Sequence, residues 1–418
     1  MEKIKVTQIN QNISRSSVPY QLLLGLKNED IEMTTITAVS EVKDSSIVIV
    51  KKNLINKLVN KIVSLFIKLE KKYCYGQSMD TPFSYYKIGV TINKKKEIIE
   101  ADIIHLHWIC GEFLSMNELK KITKLGKPIV WNCHDNWPFT GGCHVRLGCE
   151  KYKEHCGYCP QLKSQIKKDW SFCLLERKKR VLKGTNLTVV SPSTWMDRNV
   201  QESSLFRKFP HYIIPNPIDV NIFKKLNRNE MRKKYGIDNQ SVILLFGAVK
   251  ATNTPYKGYD YLLEALDILE VELNGNSQIE AIVFGTDQGD SREKKKIKIR
   301  YLGYLNREQM AEIYNCADVY VVPSLEDSFN STVAESMSCE TPVVAFSTGG
   351  IVDIIDHKHN GYLAAYKDSK DLAKGIIWIL EHKDSSNLGT NGRKKVEEQS
   401  SVAVISKQYR DLYCSLIK

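Results

Sequence analysis

The sequence predicts an α/β protein built from two doubly wound domains in tandem. Short apolar runs rich in β-branched residues alternate with amphipathic stretches, the signature of buried parallel strands joined by helices. A break at Ile213-Ile214-Pro215-Asn216-Pro217-Ile218-Asp219 carries two prolines in three positions and no helical period. Beyond it the alternation starts again, so one sheet does not account for the whole chain.

In the first half, the opening Met-Glu-Lys-Ile-Lys-Val-Thr-Gln-Ile-Asn reads as a buried strand. Further strands are expected from Ile103 to Trp108, from Pro128 to Asn132, and from Leu187 to Val190, which runs into Ser191-Pro192-Ser193. In the second half, strands are expected at Val242 to Gly247, Ile279 to Gly285, Ile299 to Gly303, Val319 to Val322 and Pro342 to Phe346. Helices are expected at Tyr259 to Glu270, Arg307 to Asn315 and Thr332 to Cys339. The resulting division is a first domain over 1–217 with a cysteine-rich insertion at 143–159, a second over 218–400, and a final helix, 401–418, packing back on the first.

Of the 418 residues 42% are hydrophobic and 26% charged, a globular composition with enough chain for two cores. No apolar stretch reaches the length of a membrane span, and the start lacks the apolar core of a signal peptide, so a cytoplasmic protein is expected. The net charge of +12 favours anionic partners, but no RNP, zinc-finger or helix-turn-helix pattern accompanies it, which argues against nucleic acid. Eleven cysteines in a reducing compartment point away from disulfides and make any tight cluster a metal candidate.

In open parallel sheets ligands sit beyond the carboxyl ends of the strands. Pro323-Ser324-Leu325-Glu326-Asp327-Ser328-Phe329-Asn330-Ser331-Thr332 occupies such a place and leads into a helix carrying Glu335. The unpaired N–H groups of a helix start suit a phosphate, and a carboxylate one turn in can accept two hydrogen bonds from vicinal ribose hydroxyls. Alternatively, Asp327 is only an N-terminal charge and Glu335 a solvated helix residue.

The run Ala317 to Ser324, Asp327 with Glu335 eight positions on, Thr341-Pro342-Val343-Val344-Ala345, Gly349-Gly350 and Asn360-Gly361-Tyr362-Leu363 together resemble the retaining glycosyltransferases of family 4. Lys257-Gly258 and Asn216-Pro217-Ile218-Asp219 extend the resemblance. It implies a GT-B fold, two Rossmann-like domains facing a cleft, with a nucleotide-diphosphate sugar as donor and no cofactor required for catalysis. Asp327 and Glu335 then fall in the catalytic set. The donor would be held by Gly247, Lys250, Lys257, Glu326, Ser328, Phe329, Asn330, Ser331 and Thr332.

Three departures accompany it. The family has a glutamate where Asp327 stands, so either Asp327 reaches the sugar from a shifted loop or Glu326 takes its place. The Gly-Arg pair that commonly follows the first strand of this domain is Gly247-Ala248 here, and Lys250 is the nearest substitute charge, not an equivalent of a guanidinium fork. The glycine-rich loop after the first strand is replaced by Asn12 to Tyr20.

In the first domain, Trp131-Asn132-Cys133-His134-Asp135 ends a strand where the family often places a histidine near the transferred sugar, so His134 and Asp135 join the catalytic candidates. His105 and His107 share a strand face and are read as structural hydrogen-bonding residues. Cys143, Cys149, Cys156 and Cys159, spaced x5, x6 and x2, could close a tetrahedral structural zinc site, or be four reduced thiols. The stretch from His-Asp-x-Trp to Cys-Pro-Gln-Leu resembles a polysaccharide-building subgroup of the family. Lys51 to Lys72 keeps a helical apolar period with seven lysines, and either packs on the core or lies on an anionic membrane surface. These readings converge on a retaining hexosyl- or aminosugar transferase for capsule or exopolysaccharide, peripheral on the inner face of the membrane and acting on a glycan or lipid-linked glycan acceptor. The competing expectation is a weakened family member serving as a scaffold in an assembly complex.

Overall fold

A computed structural model describes residues 3–27, 29–51, 62, 65, 81–85, 89–272, 278–286, 297–382 and 387–417. The chain divides into two compact units, 1–217 with 405–418, and 218–404. All but three residues of the lysine-rich stretch 51–72 lie outside the described residues.

In the first unit the strands β1 (Ile4–Ile9), β3 (Ile31–Thr37), β5 (Ile47–Ile49), β6 (Ile103–Leu106), β7 (Ile129–Asn132), β8 (Leu187–Ser191) and β9 (His211–Ile213) form one sheet. Its order is β5-β3-β1-β6-β7-β8-β9, and every pairing is parallel. Two short strands, β2 (Asn12–Ile13) and β4 (Val39–Ser40), pair separately. Because successive side chains leave opposite faces, Ile104, Leu106, Ile129, Trp131 and Val189 enter one core while Ile103, Val130 and Val190 enter another. That second core is completed by Ile405, Tyr409, Leu412 and Tyr413 of the final helix, Val402–Leu416.

The second unit holds β10 (Val242–Gly247), β11 (Ile279–Phe284), β12 (Lys298–Tyr301), β13 (Val319–Val322), β14 (Val343–Phe346) and β15 (Gly361–Ala364). Their order, β12-β11-β10-β13-β14-β15, is the Rossmann order with all strands parallel. Ile243, Leu245, Ile282 and Tyr320 face one layer; Leu244, Phe246, Val283 and Val321 face the other. The order of strands reverses between β10 and β13, so the loops leaving their carboxyl ends diverge and leave a crevice. The chain leaves the first unit at Ile218 and comes back beside the same place. Ile218 and Ser401 form a parallel bridge, with Ile218 N–H donating to Ser400 O at 2.7 Å.

Candidate active site

At the β10–β13 switch point of the second unit, three loops converge on one residue, Asp327. Asp327 Oδ2 lies 2.7 Å from Lys257 Nζ and accepts from Asn330 Nδ2 at 3.1 Å. Lys257 is brought there by Gly258, whose φ of +78° no other residue adopts cheaply and whose missing Cβ would stand 1.8 Å from Pro323 O. Leu325 N–H donates to Tyr256 O at 2.8 Å, stitching the same two loops. From the third side Gly350 N–H donates to Asp327 O at 2.9 Å, and a Cβ on Gly349 would strike that same oxygen. Burial works against the Lys257 charge, but Asp327 more than offsets it, so the ammonium is held above its usual pKa.

Asn330 turns this loop into a helix. Its φ of +67° lies in the left-handed region that asparagine tolerates, and its Oδ1 caps Val333 N–H at 3.3 Å while accepting from Thr332 Oγ1 at 2.7 Å. The Tyr320 hydroxyl lies 3.0 Å from Thr332 Oγ1 and 3.1 Å from the Gly247 carbonyl, tying the end of β10 to the helix Ser331–Ser338. Asn330→Ala removes the cap and the hydrogen bond to Asp327. It is expected to cost about 1–2 kcal/mol of stability, read as a lowered midpoint in urea denaturation.

Glu335, within that helix, is buried. Burial pushes its carboxyl up to about 8, against the partial opposition of Arg307 and the Tyr314 hydroxyl at 3.4 Å. Glu326 and Asp327 occupy different surroundings. Asp327 faces Lys257, whereas buried Glu326 acts on Tyr366, whose phenol is held up by burial and then by that carboxylate.

Phe329 offers a donor only its backbone, because its side chain is 2% exposed and packs in the core with Tyr320 and Val333. Ser328, Ser331 and Thr332 remain half-buried around the helix start. Gly247 sits under the Phe284 ring, where a Cβ would come within 2.0 Å, and Lys250 extends its side chain from an exposed position with φ +53°.

The first unit holds a second polar constellation, in the carboxyl-terminal halves of β6 and β7 and just beyond them. His105 Nδ1 lies 2.8 Å from the Tyr413 hydroxyl and Nε2 3.0 Å from Asn132 Oδ1; Asn132 in turn donates to Tyr409 at 2.6 Å. His107 Nε2 faces Gln8 Oε1 at 2.8 Å, so its Nδ1 accepts from His134 Nε2 at 2.9 Å. Burial first, and neighbouring histidines second, hold His107 well below its usual pKa, while burial takes His105 to about 3 and His134 to about 4. Both strand histidines are thus neutral groups in structural hydrogen bonds, and His134 is positioned by them.

Asp135 accepts from Trp108 Nε1 at 3.0 Å, Trp137 N–H at 2.8 Å and His144 Nδ1 at 2.6 Å. Burial disfavours its charge, but His144 and these donors prevail and lower its pKa. His144 was not singled out from the sequence. It stands beside a cysteine expected to bind metal, and its partner Ser84 is 60 positions away.

The expected zinc ligand set is not assembled: among the described residues no three His, Cys, Asp or Glu are placed to hold an ion. Burial raises the Cys143, Cys156 and Cys159 thiols. The buried Lys178 ammonium, which donates to Thr140 O at 2.9 Å and acts electrostatically on Cys143 and Cys156, opposes a dication there.

Solved structures share this two-unit architecture over the whole chain. A glycosyltransferase of Rickettsia africae superposes with a TM-score of 0.65 at 16% identity, covering 100% of both chains. The Anabaena protein HepE, solved in complex with UDP and glucose, gives 0.64 at 15% identity, covering 99% of this chain and 100% of that one. At such identities the likeness establishes the fold, and the fold is GT-B.

Within it, residues 227–395 match the family described as glycosyl transferases group 1. An uncharacterized glycosyltransferase of Methanocaldococcus jannaschii is 30% identical over 215 residues, 48% of this chain and 52% of that protein. The N-acetyl-alpha-D-glucosaminyl L-malate synthase of Bacillus anthracis is 22% identical over 262 residues, 57% of this chain and 67% of that protein. The chain spans about half the length of the first of these curated relatives. Among the described residues no helix is long and apolar enough to cross a membrane.

Proposed function

We propose that the protein is a retaining glycosyltransferase that moves a hexose or aminosugar from a nucleotide-diphosphate sugar to a glycan acceptor. The observation that carries this reading is the convergence of Lys257, Asp327 and the Asn330-capped helix at the β10–β13 switch point, with the carboxyl group of Glu335 in that same helix. Lys257 and the N–H groups from Ser328 to Thr332 would neutralise the leaving diphosphate, the place where negative charge develops. Glu335 would take the ribose hydroxyls and Asp327 the transferred sugar. No residue of this site is assigned as a covalent nucleophile. The acceptor reacts from the face the diphosphate leaves.

The acceptor is proposed to be a lipid-linked glycan in surface polysaccharide assembly, reached at the inner membrane face through the basic stretch 51–72. The segment from His134 to Cys159, with its likeness to polysaccharide-building enzymes, supports this. The protein is to be incubated with a panel of nucleotide sugars, recording slow donor hydrolysis and calorimetric binding of the nucleoside diphosphates. Binding of one diphosphate with turnover of its sugar is the expected result. No binding of any at millimolar concentration would instead favour a scaffold, the outcome to which Gly247-Ala248 in place of Gly-Arg points.

A further inference from the structure

Residues 82–84 pair antiparallel with 142–144. Ser84 N–H donates to Gly142 O at 2.9 Å, His144 N–H donates to Pro82 O at 3.1 Å, and Phe83 bridges Cys143. Gly142 makes the close approach feasible, since a Cβ there would stand 2.4 Å from the Phe83 ring. This pairing sets the Ser84 hydroxyl 2.7 Å from His144 Nε2, on the opposite side of the imidazole from Asp135 Oδ2 at 2.6 Å. Asp135 is itself held by Trp108 Nε1 and Trp137 N–H. An ionised carboxylate on Nδ1 fixes the tautomer with the proton there, so Nε2 is an acceptor and Ser84 is the donor. His144 is buried, with the Trp108 and Trp137 ring centroids 5.6 and 6.3 Å from its own, while Ser84 and Trp108 are only half-buried.

Two backbone hydrogen bonds already tie 82–84 in place, so the side-chain relay is more than that docking requires. We propose that Ser84, His144 and Asp135 form a nucleophilic triad in the first unit, with Ser84 attacking carboxylic esters. In this step the Ser84 Oγ–carbonyl carbon bond forms and the hydroxyl proton passes to His144 Nε2. As the carbon–oxygen bond to the leaving alcohol breaks, Nε2 returns the proton to the departing oxygen. Water, deprotonated by the same nitrogen, then hydrolyses the acyl-serine to a carboxylic acid and free Ser84. Ser84 and His144 are the catalytic residues, and Asp135 is a positioning residue. The activity uses no nucleotide.

A fluorophosphonate probe tests this on the full-length protein, with adducts mapped by peptide mass spectrometry. The wild-type protein is expected to carry one adduct, on Ser84, that is absent from Ser84→Ala and His144→Gln. Asp135→Asn, which presents the wrong tautomer, is expected to slow labelling by about 100-fold or more. p-Nitrophenyl acetate should give a burst from the wild type that Ser84→Ala lacks. Absence of a Ser84 adduct on wild-type protein, where a known serine esterase is fully labelled, overturns the proposal without reliance on any variant's folding. Equal labelling of wild type and a His144→Gln protein of unchanged melting temperature overturns it as well. Either result leaves the donor assignment untouched, because nucleotide-sugar binding is measured separately.

Discussion

Glu335→Ala is expected to lower kcat/KM for the nucleotide sugar by about a hundredfold or more, measured as initial rates over a donor concentration series. Above about pH 8, where the Glu335 carboxyl is ionised, two hydrogen bonds to it are worth about 1.5–3 kcal/mol each, and the truncated side chain would leave the ribose hydroxyls unpaired. Wild-type rates in this variant would remove Glu335 from the donor site. The same residue makes a pH prediction of definite sign. Its carboxyl titrates near 8 in the folded protein against 4.5 as a reference, because burial disfavours the charge. Between these values the folded state holds a proton that the unfolded state has released. Stability from this group is therefore complete below about 4.5 and lost as pH rises to about 8. Glu335→Gln, which cannot ionise, should melt at a higher temperature than wild type by a margin that widens over that window and then levels off. Donor affinity should move the opposite way in the wild type, rising with pH as the carboxylate forms, and the Gln variant should lose that dependence.

Lys257→Ala is expected to reduce kcat by about 10²–10³, the cost of removing one fixed cation from developing negative charge. The loss should fall mainly on kcat, since the diphosphate carries more charge as it departs than in the bound donor. Lys257→Met keeps the volume of the side chain and should be nearly as impaired, separating charge from packing. Both variants also leave Asp327 with Asn330 as its remaining partner described here, and a melting-temperature measurement will read that separately. Lys250→Ala, which removes an exposed side chain, is the control expected to lose much less. Equal losses at 250 and 257 would contradict the geometry.

The central strands of the second sheet were legible because they are buried on both faces and so appear as uninterrupted apolar runs, whereas β15 was not expected. Val242 to Gly247 and Val319 to Val322 were placed to the residue. The edge strands β5 and β9, three residues each, are too short to carry a pattern and were missed. Asp327 and Glu335 were legible as a spacing, but the ion pair of Asp327 with Lys257 joins positions 70 apart. No window along the chain contains it. That the Phe329 side chain belongs to the core was not legible, because one aromatic residue in a polar loop has no periodicity to betray it. The cysteine spacing spoke only for reach, whereas the place of Lys178 beside these thiols is set by the helix Trp170–Leu182 that carries it.

The return of the last helix to the first sheet has a consequence for biosynthesis. Ile405, Tyr409, Leu412 and Tyr413 cover Val6, Ile103, Val130 and Val190, and Tyr413 satisfies His105 from 308 positions away. As the chain emerges from the ribosome, the first sheet therefore waits with one apolar side open while all of residues 218–404 are translated. The second unit, continuous in sequence, has its strands in hand before that wait ends, so the later-made half can fold ahead of the earlier one. A fragment cut at 217 would expose that face and behave as an aggregation-prone intermediate, whereas 218–404 is the piece to express alone.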